Sequence, residues 1–151
     1  KKYNLYKEHN YFRNKQEGMY KKWAAGRLSE TCQYVDGVQQ GEYRKYHSNG
    51  RIMEKYNYDK GEIHGVYKMW FYNGKLKLKT NYVNGKQEGV YMAWNCSGCK
   101  VERRQYVNDC REGVTKRWHS NGQVKRIGEY HNDEPEGNFK EWYYNGQLES
   151  Q

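Results

Sequence analysis

The chain of 151 residues contains four cysteines and five histidines, the side chains best suited to metal or nucleophilic chemistry. Cys96 and Cys99 form a Cys-x-x-Cys pair with the spacing of half a zinc knuckle. A structural zinc ion needs two more ligands, whereas Cys32 and Cys110 fall in other segments and His119 adds only a single ligand. We therefore expect free thiols at Cys96 and Cys99, and we predict neither a metal site nor a cofactor.

The remaining polar residues do not form a catalytic pattern. No histidine is placed as the base of a Ser or Cys nucleophile, and the glycines mark turns rather than a phosphate-binding loop. Carboxylates recur at one equivalent place along the chain, where we expect them to balance lysines on a solvated edge: Glu17, Glu88, Glu112 and Glu136. The sequence thus predicts no catalytic residue, no small-molecule substrate and no enzymatic activity.

The chain carries 27 Lys and Arg against 18 Asp and Glu, a net charge of +9. Part of this excess forms a basic column, with Met92 at one place and a cation at five others: Lys21, Arg44, Lys68, Lys116 and Lys140. One interpretation is a binding surface for an acidic protein or an anionic membrane, with nucleic acid disfavoured. The other is a soluble, self-repelling face that prevents aggregation at sheet edges. The interleaving of both signs of charge along the sequence favours the second.

A repeat of about 24 residues positions these groups. Six glycines begin the units: Gly18, Gly41, Gly65, Gly89, Gly113 and Gly137. Five residues after each of them stands one member of an aromatic column: Trp23, Tyr46, Trp70, Trp94, Trp118 and Trp142. A second glycine follows, usually after Asn, and we interpret this set as turn residues: Gly26, Gly50, Gly74, Gly98, Gly122 and Gly146. Asn-Gly between aromatic-rich segments favours a tight hairpin turn, so each unit is predicted to be strand, turn and strand.

The link between successive units carries a second turn signal. Four residues before each unit's first glycine stands a residue that tolerates positive φ: Asn14, Gly37, Gly61, Gly85, Asp109 or Asp133. Two turns per unit predict an all-β fold, an elongated antiparallel meander of about six tandem β-hairpin units. We expect one array over residues 1–151, and because both ends fall within a unit we expect it to belong to a longer protein.

The sequence leaves the register of each hairpin open. Leu76, Leu78 and Tyr82 share one parity along their strand. A two-residue turn would place Trp70 on the opposite face from them, whereas a three-residue turn ending in a glycine bulge would place Trp70 across from Leu76. Which face is buried therefore stays open as well.

The repeated pattern resembles the variant MORN repeat over nearly the whole chain, as in the segment Gly-Val-Tyr-Lys-Met-Trp-Phe-Tyr-Asn-Gly-Lys-Leu at residues 65–76. The resemblance implies a β-hairpin array that contacts proteins or membranes and has no catalytic residues. Similar repeats occur in bacterial antitoxin-like proteins and in giant DNA viruses of amoebae, and the Lys-, Tyr- and Asn-Gly-rich sequence here is more similar to the viral set. Ser97, Lys100 and Thr115 depart from the pattern, so regular order is least expected around residues 95–115.

The amino-acid composition argues against two classes of protein, disordered chains and membrane-spanning helices. Seventeen Tyr and five Trp argue against disorder, and a mean hydropathy of −1.39 argues against a membrane-spanning helix. No secretory signal stands out, so we expect an intracellular protein. We predict a non-enzymatic structural or assembly protein that contacts other proteins or itself, and a virion or minor capsid role beside capsid or scaffold proteins if the viral resemblance holds. The alternatives are an antitoxin-like regulator of one protein partner and attachment to an anionic membrane through the basic column.

Overall fold

The computed structural model describes residues 5–150, and every regular element in this range is a β-strand. Numbered along the chain, the strands are β1 (Leu5–Glu8), β2 (Tyr11–Phe12), β3 (Lys15–Gln16), β4 (Gly18–Ala24), β5 (Arg27–Val35), β6 (Val38–Gln39), β7 (Gly41–Tyr46), β8 (Ile52–Asp59), β9 (Glu62–Trp70), β10 (Leu76–Val83), β11 (Lys86–Gln87), β12 (Gly89–Trp94), β13 (Lys100–Val107), β14 (Cys110–Arg111), β15 (Gly113–Trp118), β16 (Val124–His131), β17 (Glu134–Trp142) and β18 (Leu148–Ser150).

Most of these strands follow one another across a single antiparallel sheet, in the order β1-β4-β5-β7-β8-β9-β10-β12-β13-β15-β16-β17-β18. The short strands β6, β11 and β14 pair with β5, β10 and β13, and β2 pairs with β3 in a separate ladder. Neighbours in the sheet are thus neighbours in sequence, as a meander requires. The predicted all-β meander of tandem hairpins is confirmed.

The turn between β9 and β10 resolves the register that the sequence leaves open. The N–H of Gly74 donates to the carbonyl of Phe71 at 2.8 Å, and the N–H of Phe71 donates to the carbonyl of Lys75 at 2.9 Å. This is a three-residue turn ending in a glycine with a φ of +86°. It sets Trp70 across from Leu76, as the glycine-bulge alternative requires.

A β-bulge follows the turn in every hairpin of the sheet. After the pair of Trp70 and Leu76, the next pair joins Met69 to Leu78, so Lys77 has no partner. Because the extra residue reverses the alternation of side chains, Leu76 shares a face with Trp70 while Leu78 lies on the other face. The unpaired residues of the six hairpins are Ser29, Met53, Lys77, Val101, Lys125 and Glu149.

The first hairpin is one residue shorter than the others. Between β4 and β5 the chain turns through Ala25 and Gly26, which have φ values of 50° and 74°. Trp23 still lies across from Leu28, and the bulge still follows. The shorter spacing therefore changes the turn type and leaves the pairing beyond the turn intact.

The links use a tight turn with positive φ at both central residues. Asn84 and Gly85 have φ values of 49° and 76°, and the N–H of Gly85 donates to the carbonyl of Ile63, one unit earlier, at 2.9 Å. All six residues predicted at this place have positive φ: Asn14, Gly37, Gly61, Gly85, Asp109 and Asp133. The predicted second turn is confirmed, and it also joins each unit to the preceding one.

Three of the recurring carboxylates accept hydrogen bonds from backbone N–H groups in the link turns. The Oε2 atom of Glu88 accepts the N–H of Asn108 at 2.9 Å, and Glu112 accepts the equivalent N–H one unit later at 3.1 Å. Glu17 accepts the N–H of Asp36 at 2.8 Å. The expectation that these carboxylates balance lysines is wrong for Glu17, Glu88 and Glu112, because each satisfies a backbone donor in the next link turn.

The hairpin that contains Ser97 forms the same turn as the others. Elsewhere the turn Asn accepts a backbone N–H through its own Oδ1 atom, as Asn73 does from Lys75 at 3.0 Å. Here the Oδ1 atom of Asn95 accepts the N–H groups of Ser97 and Cys99, both at 3.0 Å. Strand pairing continues through residues 95–115, so the departures from the pattern do not interrupt the array.

The core lies on one side of the sheet, which we call the tyrosine face. Its most buried side chains are Tyr20, Cys32, Tyr43, Tyr56, Thr80 and Tyr106. The ring of Tyr56 stacks on Tyr43 at 4.6 Å and on Tyr67 at 5.2 Å, and burial raises the pKa of its hydroxyl. The aromatic column lies on the opposite side and is only half-buried.

Candidate functional site

The two cysteines of the Cys-x-x-Cys pair lie in one hairpin turn, with Cys96 exposed and Cys99 half-buried. His119 lies in the next hairpin turn, with its Nε2 atom 2.8 Å from the carbonyl oxygen of Trp142. Across residues 5–150, no group of three or more Cys, His, Asp and Glu side chains comes together as a metal site. The pair is therefore joined by no third ligand in this part of the chain.

The basic column becomes part of a continuous line in the sheet. Each residue of the line pairs directly with the next one on the neighbouring strand: Lys21, Thr31, Arg44, Lys55, Lys68, Lys79, Met92, Arg103, Lys116, Ile127 and Lys140. We call this line the basic row, since eight of its eleven members are Lys or Arg. Beyond Lys21 the pairing continues to one acidic residue, Glu8 on the outermost strand β1. Neighbouring strands lie about 4.8 Å apart, so the row extends over roughly 48 Å.

The sequence pattern alone identifies only part of this row. It predicts a cation on every second strand, whereas the structure adds Lys55, Lys79 and Arg103 from the strands between. Their signal is present in the sequence, because each stands 14 residues after the first glycine of its unit. Relating them to the column requires the hairpin register, which the bulge sets. Between Lys21 and Lys140, opposite charges do not interleave along this line.

Four consecutive cations form the centre of the row: Arg44, Lys55, Lys68 and Lys79. Glu42 pairs with both Arg44 and Lys55, and the hydrogen bond from Lys55, with the charge of nearby Arg44, lowers the pKa of Glu42. Within residues 5–150, Lys68 and Lys79 pair with no carboxylate, and the same holds for Arg103, Lys116 and Lys140. Like charges directly across from each other destabilise a sheet, so this run has an energetic cost.

An apolar stripe runs beside the basic row. Trp70 stands two residues after Lys68 on β9, so the two side chains share a face. The stripe consists of the six half-buried members of the aromatic column, Trp23, Tyr46, Trp70, Trp94, Trp118 and Trp142, and of the residues across from them, which are apolar except for Lys100 across from Trp94. On the other side of the row stand the exposed side chains of Val66, Val90 and Val114. This face therefore offers apolar and cationic stripes side by side.

Four segments of the chain match the MORN repeat variant, at residues 39–60, 63–84, 111–132 and 135–151, and together they cover more than half of it. The chain belongs to the MORN repeat variant family. No curated protein matches the chain. The MORN repeat variant match omits residues 85–110, which contain Ser97 and Lys100, yet the structure forms a hairpin with the same pairing there.

Family membership fits a repetitive β surface that binds a partner. MORN repeats commonly contact proteins or membranes, and all-β repeat folds of this kind are typically non-catalytic. Stacked units repeat the same surface at regular intervals, which suits extended contacts better than a single deep site.

Proposed function

We propose that this MORN repeat variant protein is a non-enzymatic binding array that holds an acidic protein partner against its basic row. The observation that carries the proposal is the run of four cations directly across from one another, Arg44, Lys55, Lys68 and Lys79. Stability alone favours opposite charges at such positions. An acidic partner removes the repulsion, and the aromatic stripe beside the row adds the apolar area that protein interfaces contain.

The protective interpretation of the lysines fits their position less well. Charges that prevent edge-to-edge pairing lie on the outermost strands of a sheet. The basic row instead crosses the interior of the central strands β8, β9 and β10. Its cations lie on a face of the sheet, where they are placed to contact a partner and not to protect an edge.

The length of the row favours an assembly role. A row with eight cations that extends over roughly 48 Å offers contact to a long partner or to several copies of one. The viral resemblance gives a narrower version, in which the partner is a capsid or scaffold protein of a virion. The antitoxin-like alternative needs one compact partner in fixed stoichiometry. Both narrower versions stay predictions, and the stoichiometry of the complex distinguishes them.

A second candidate function is attachment to the surface of an anionic membrane. The observation in its favour is the row of Trp rings beside Lys side chains, a combination found at membrane interfaces. None of the elements between residues 5 and 150 is a helix that is long and apolar enough to cross a bilayer.

Affinity capture from the native source tests the proposal with a matched pair of variants. Lys68→Glu/Lys79→Glu reverses two charges in the row, and Lys86→Glu/Lys125→Glu reverses two exposed charges outside it. We expect wild type and the control to capture the same acidic protein at low salt, and the row variant to lose it. Equal capture by all three proteins would refute a role for the row.

Vesicle flotation separates the membrane candidate from the protein partner. The probes are vesicles of phosphatidylcholine with and without phosphatidylserine. Flotation that requires phosphatidylserine, weakens with salt and is lost in the row variant would favour the membrane, provided that no acidic protein is captured.

A further inference from the structure

Clefts open between successive hairpins beside the aromatic column, on the face that carries the basic row. Pairing between two hairpins ends one residue before the column, as with Glu54 and Met69 between the second and third units, and the other four junctions end at equivalent pairs. Beyond this point side chains bridge the hairpins, as where the Nε2 atom of His119 lies 2.8 Å from the carbonyl oxygen of Trp142. Each junction therefore repeats the same gap in strand pairing next to a member of the column.

Two of these clefts are wide. The cleft between the fifth and sixth hairpins measures about 470 Å³, and its lining includes Val124, Ile127 and Trp142. The cleft between the first and second hairpins measures about 430 Å³, with Leu28 and Tyr46 at the equivalent places in its lining. Both volumes fall in the range of about 300–1,000 Å³ in which proteins hold ligand groups. The clefts thus offer apolar sites for the side chains of a partner.

The aromatic column also carries hydrogen-bond donors that the fold does not use. Within residues 5–150, none of the five Trp Nε1–H groups donates a hydrogen bond, and none of them is a buried donor. The Lys and Arg side chains of the basic row are donors too, and none of these three residue types has a side-chain acceptor. A partner that complements this surface presents acceptors and apolar groups.

The spacing of the column favours one backbone conformation of the partner. Successive members lie two strands apart, about 9.6 Å. A β-strand returns a side chain to one face about every 6.8 Å, and two turns of α-helix take about 10.8 Å, an excess that adds up to about 5 Å over four units. Three residues of a polyproline II helix take about 9.3 Å, so the mismatch over four units is only about 1.2 Å. Every third residue of such a helix meets the next cleft.

From these observations we infer that the partner docks as a proline-rich, acidic segment in the polyproline II conformation, laid along the aromatic column. One side of the three-residue turn carries proline into the clefts, and the next carries Asp or Glu toward the basic row. Proline is apolar, favours this conformation and lacks the N–H group for which the surface has few acceptors. The carbonyl groups of such a helix have no internal partner and accept from the Trp Nε1–H donors. The inference rests on the proposed function, because it specifies which acidic segment the basic row holds.

Isothermal titration of the whole chain with the peptide acetyl-(Pro-Glu-Ser)5-amide tests the inference. We expect saturable binding, and we expect a peptide of the same composition in irregular order to bind roughly tenfold more weakly, because its prolines no longer enter successive clefts together. Acetyl-(Ala-Glu-Ser)5-amide keeps the charge and the period but must be ordered on binding, and it is expected to bind several-fold more weakly. The absence of saturable binding, or equal affinity for all three peptides, would overturn the inference.

A matched pair of variants tests the role of the Trp donors. Trp70→Phe/Trp94→Phe removes two Nε1–H groups and keeps an aromatic ring at each place, and we expect it to weaken binding of the Pro-Glu-Ser peptide roughly tenfold. Tyr82→Phe/Tyr130→Phe removes two hydroxyls from the tyrosine face and is expected to leave the affinity unchanged. Thermal unfolding verifies each fold, and Trp118→Phe/Trp142→Phe replaces a Trp variant that does not fold. Equal affinity in wild type and the Trp variant would contradict docking along the column.

The capture experiment distinguishes failure of this inference from failure of the proposed function. Capture of an acidic protein through the basic row, without any binding of the Pro-Glu-Ser peptide, would overturn the inference and leave the proposed function intact. Undiminished binding of the peptide by Lys68→Glu/Lys79→Glu would overturn both, because the acidic residues would then make no contact with the row.

Discussion

Two rows of residues cross the same strands one position apart in the chain, on opposite faces of the sheet. The basic row has no acidic member between Lys21 and Lys140, and Glu8 continues the line beyond Lys21. The other, which we call the paired row, contains both signs and alternates over four positions from Lys22 to Glu54: Lys22, Glu30, Lys45, Glu54, Met69, Leu78, Ala93, Glu102, Arg117, Arg126 and Glu141. On the outermost strand β1 its pairing continues to Lys7, across from Lys22. Because both rows share one backbone geometry, their difference reflects their surroundings and what each row contacts.

The surroundings of the two rows differ in burial. The paired row lies on the tyrosine face, next to the buried rings of Tyr43 and Tyr56. An unpaired charge beside a buried ring is costly, so opposite charges pair there. The basic row lies on the solvated face, where water tolerates like charges and a partner can reach them. Where two cations of the paired row face each other, at Arg117 and Arg126, each is paired with a carboxylate on its other side, Glu102 or Glu141.

The largest expected effect is on the buried face. Tyr56→Ala removes the ring at the centre of the stack, and we expect it to lower the free energy of unfolding by about 3–5 kcal/mol. Trp70→Ala on the basic face is expected to cost roughly half as much, because that ring is already partly solvated. Urea unfolding of both variants measures the difference. A cost for Trp70→Ala equal to or above that of Tyr56→Ala would contradict the assignment of the core to the tyrosine face.

A smaller effect is expected at Gly128, where the tyrosine face leaves no space for a side chain. A Cβ atom at this position would lie 1.9 Å from the Cε1 atom of Phe139. We expect Gly128→Ala to destabilise the protein by about 1–3 kcal/mol through overpacking. In a Phe139→Ala background the same change is expected to be nearly neutral. Thermal unfolding of the four proteins gives the coupling, and an equal cost in both backgrounds would contradict close packing at this site.

Charge reversal compares the two rows directly. Lys68→Glu places an acid between Lys55 and Lys79 and is expected to raise stability by about 0.5–1 kcal/mol, even as partner binding is lost. Glu30→Lys on the paired row places a cation between Lys22 and Lys45 and is expected to lower stability by a similar amount. Lys68→Gln separates the loss of one charge from the gain of the other. Destabilisation by Lys68→Glu would show that the basic row stabilises the fold as it stands.

The smallest expected effect is a pH-dependent one at a link. The carboxylate of Glu112 accepts a hydrogen bond from His131 at 2.8 Å and raises the pKa of the imidazole. Protonated His131 thus stabilises the fold below its ordinary pKa of about 6.5, and this contribution is lost as pH rises through the higher folded-state pKa. We expect an NMR titration of His131 to show the raised value and Glu112→Gln to restore the ordinary one. An unchanged titration in Glu112→Gln would show that the pair does not form in solution.

The repeat could be read from the sequence because the residue types at its turns permit few alternatives. Asn14, Gly37 and Asp133 are residue types that tolerate positive φ, and the turns they predict imply the meander. The burial of the tyrosine face could not be predicted, because it depends on one unpaired residue after each hairpin turn. That bulge is a feature of strand pairing, and no residue type marks it: Ser29, Met53 and Val101 all occupy it.

The same limit applies to the candidate site. Lys68 and its equivalents stand out because they follow a glycine at a constant distance. Lys55 and Lys79 belong to the row only once the register places them directly across from Lys68. From the sequence alone, the cations form a column on every second strand, as ordinary surface charge would. The strand pairing adds the cations of the strands between and so brings them into one row.

Zero-length cross-linking, which couples lysine amines to carboxylates in direct contact, tests the central claim most directly. Applied to the protein in its native source and read by mass spectrometry, it reports which lysines contact acidic groups of a partner. We predict links from Lys68, Lys79 and Lys116 to Asp and Glu residues of another protein or another copy, with few from Lys86 and Lys125. Links concentrated on Lys86 and Lys125, or on Lys45 of the tyrosine face, would contradict the claim that the basic row is the binding surface.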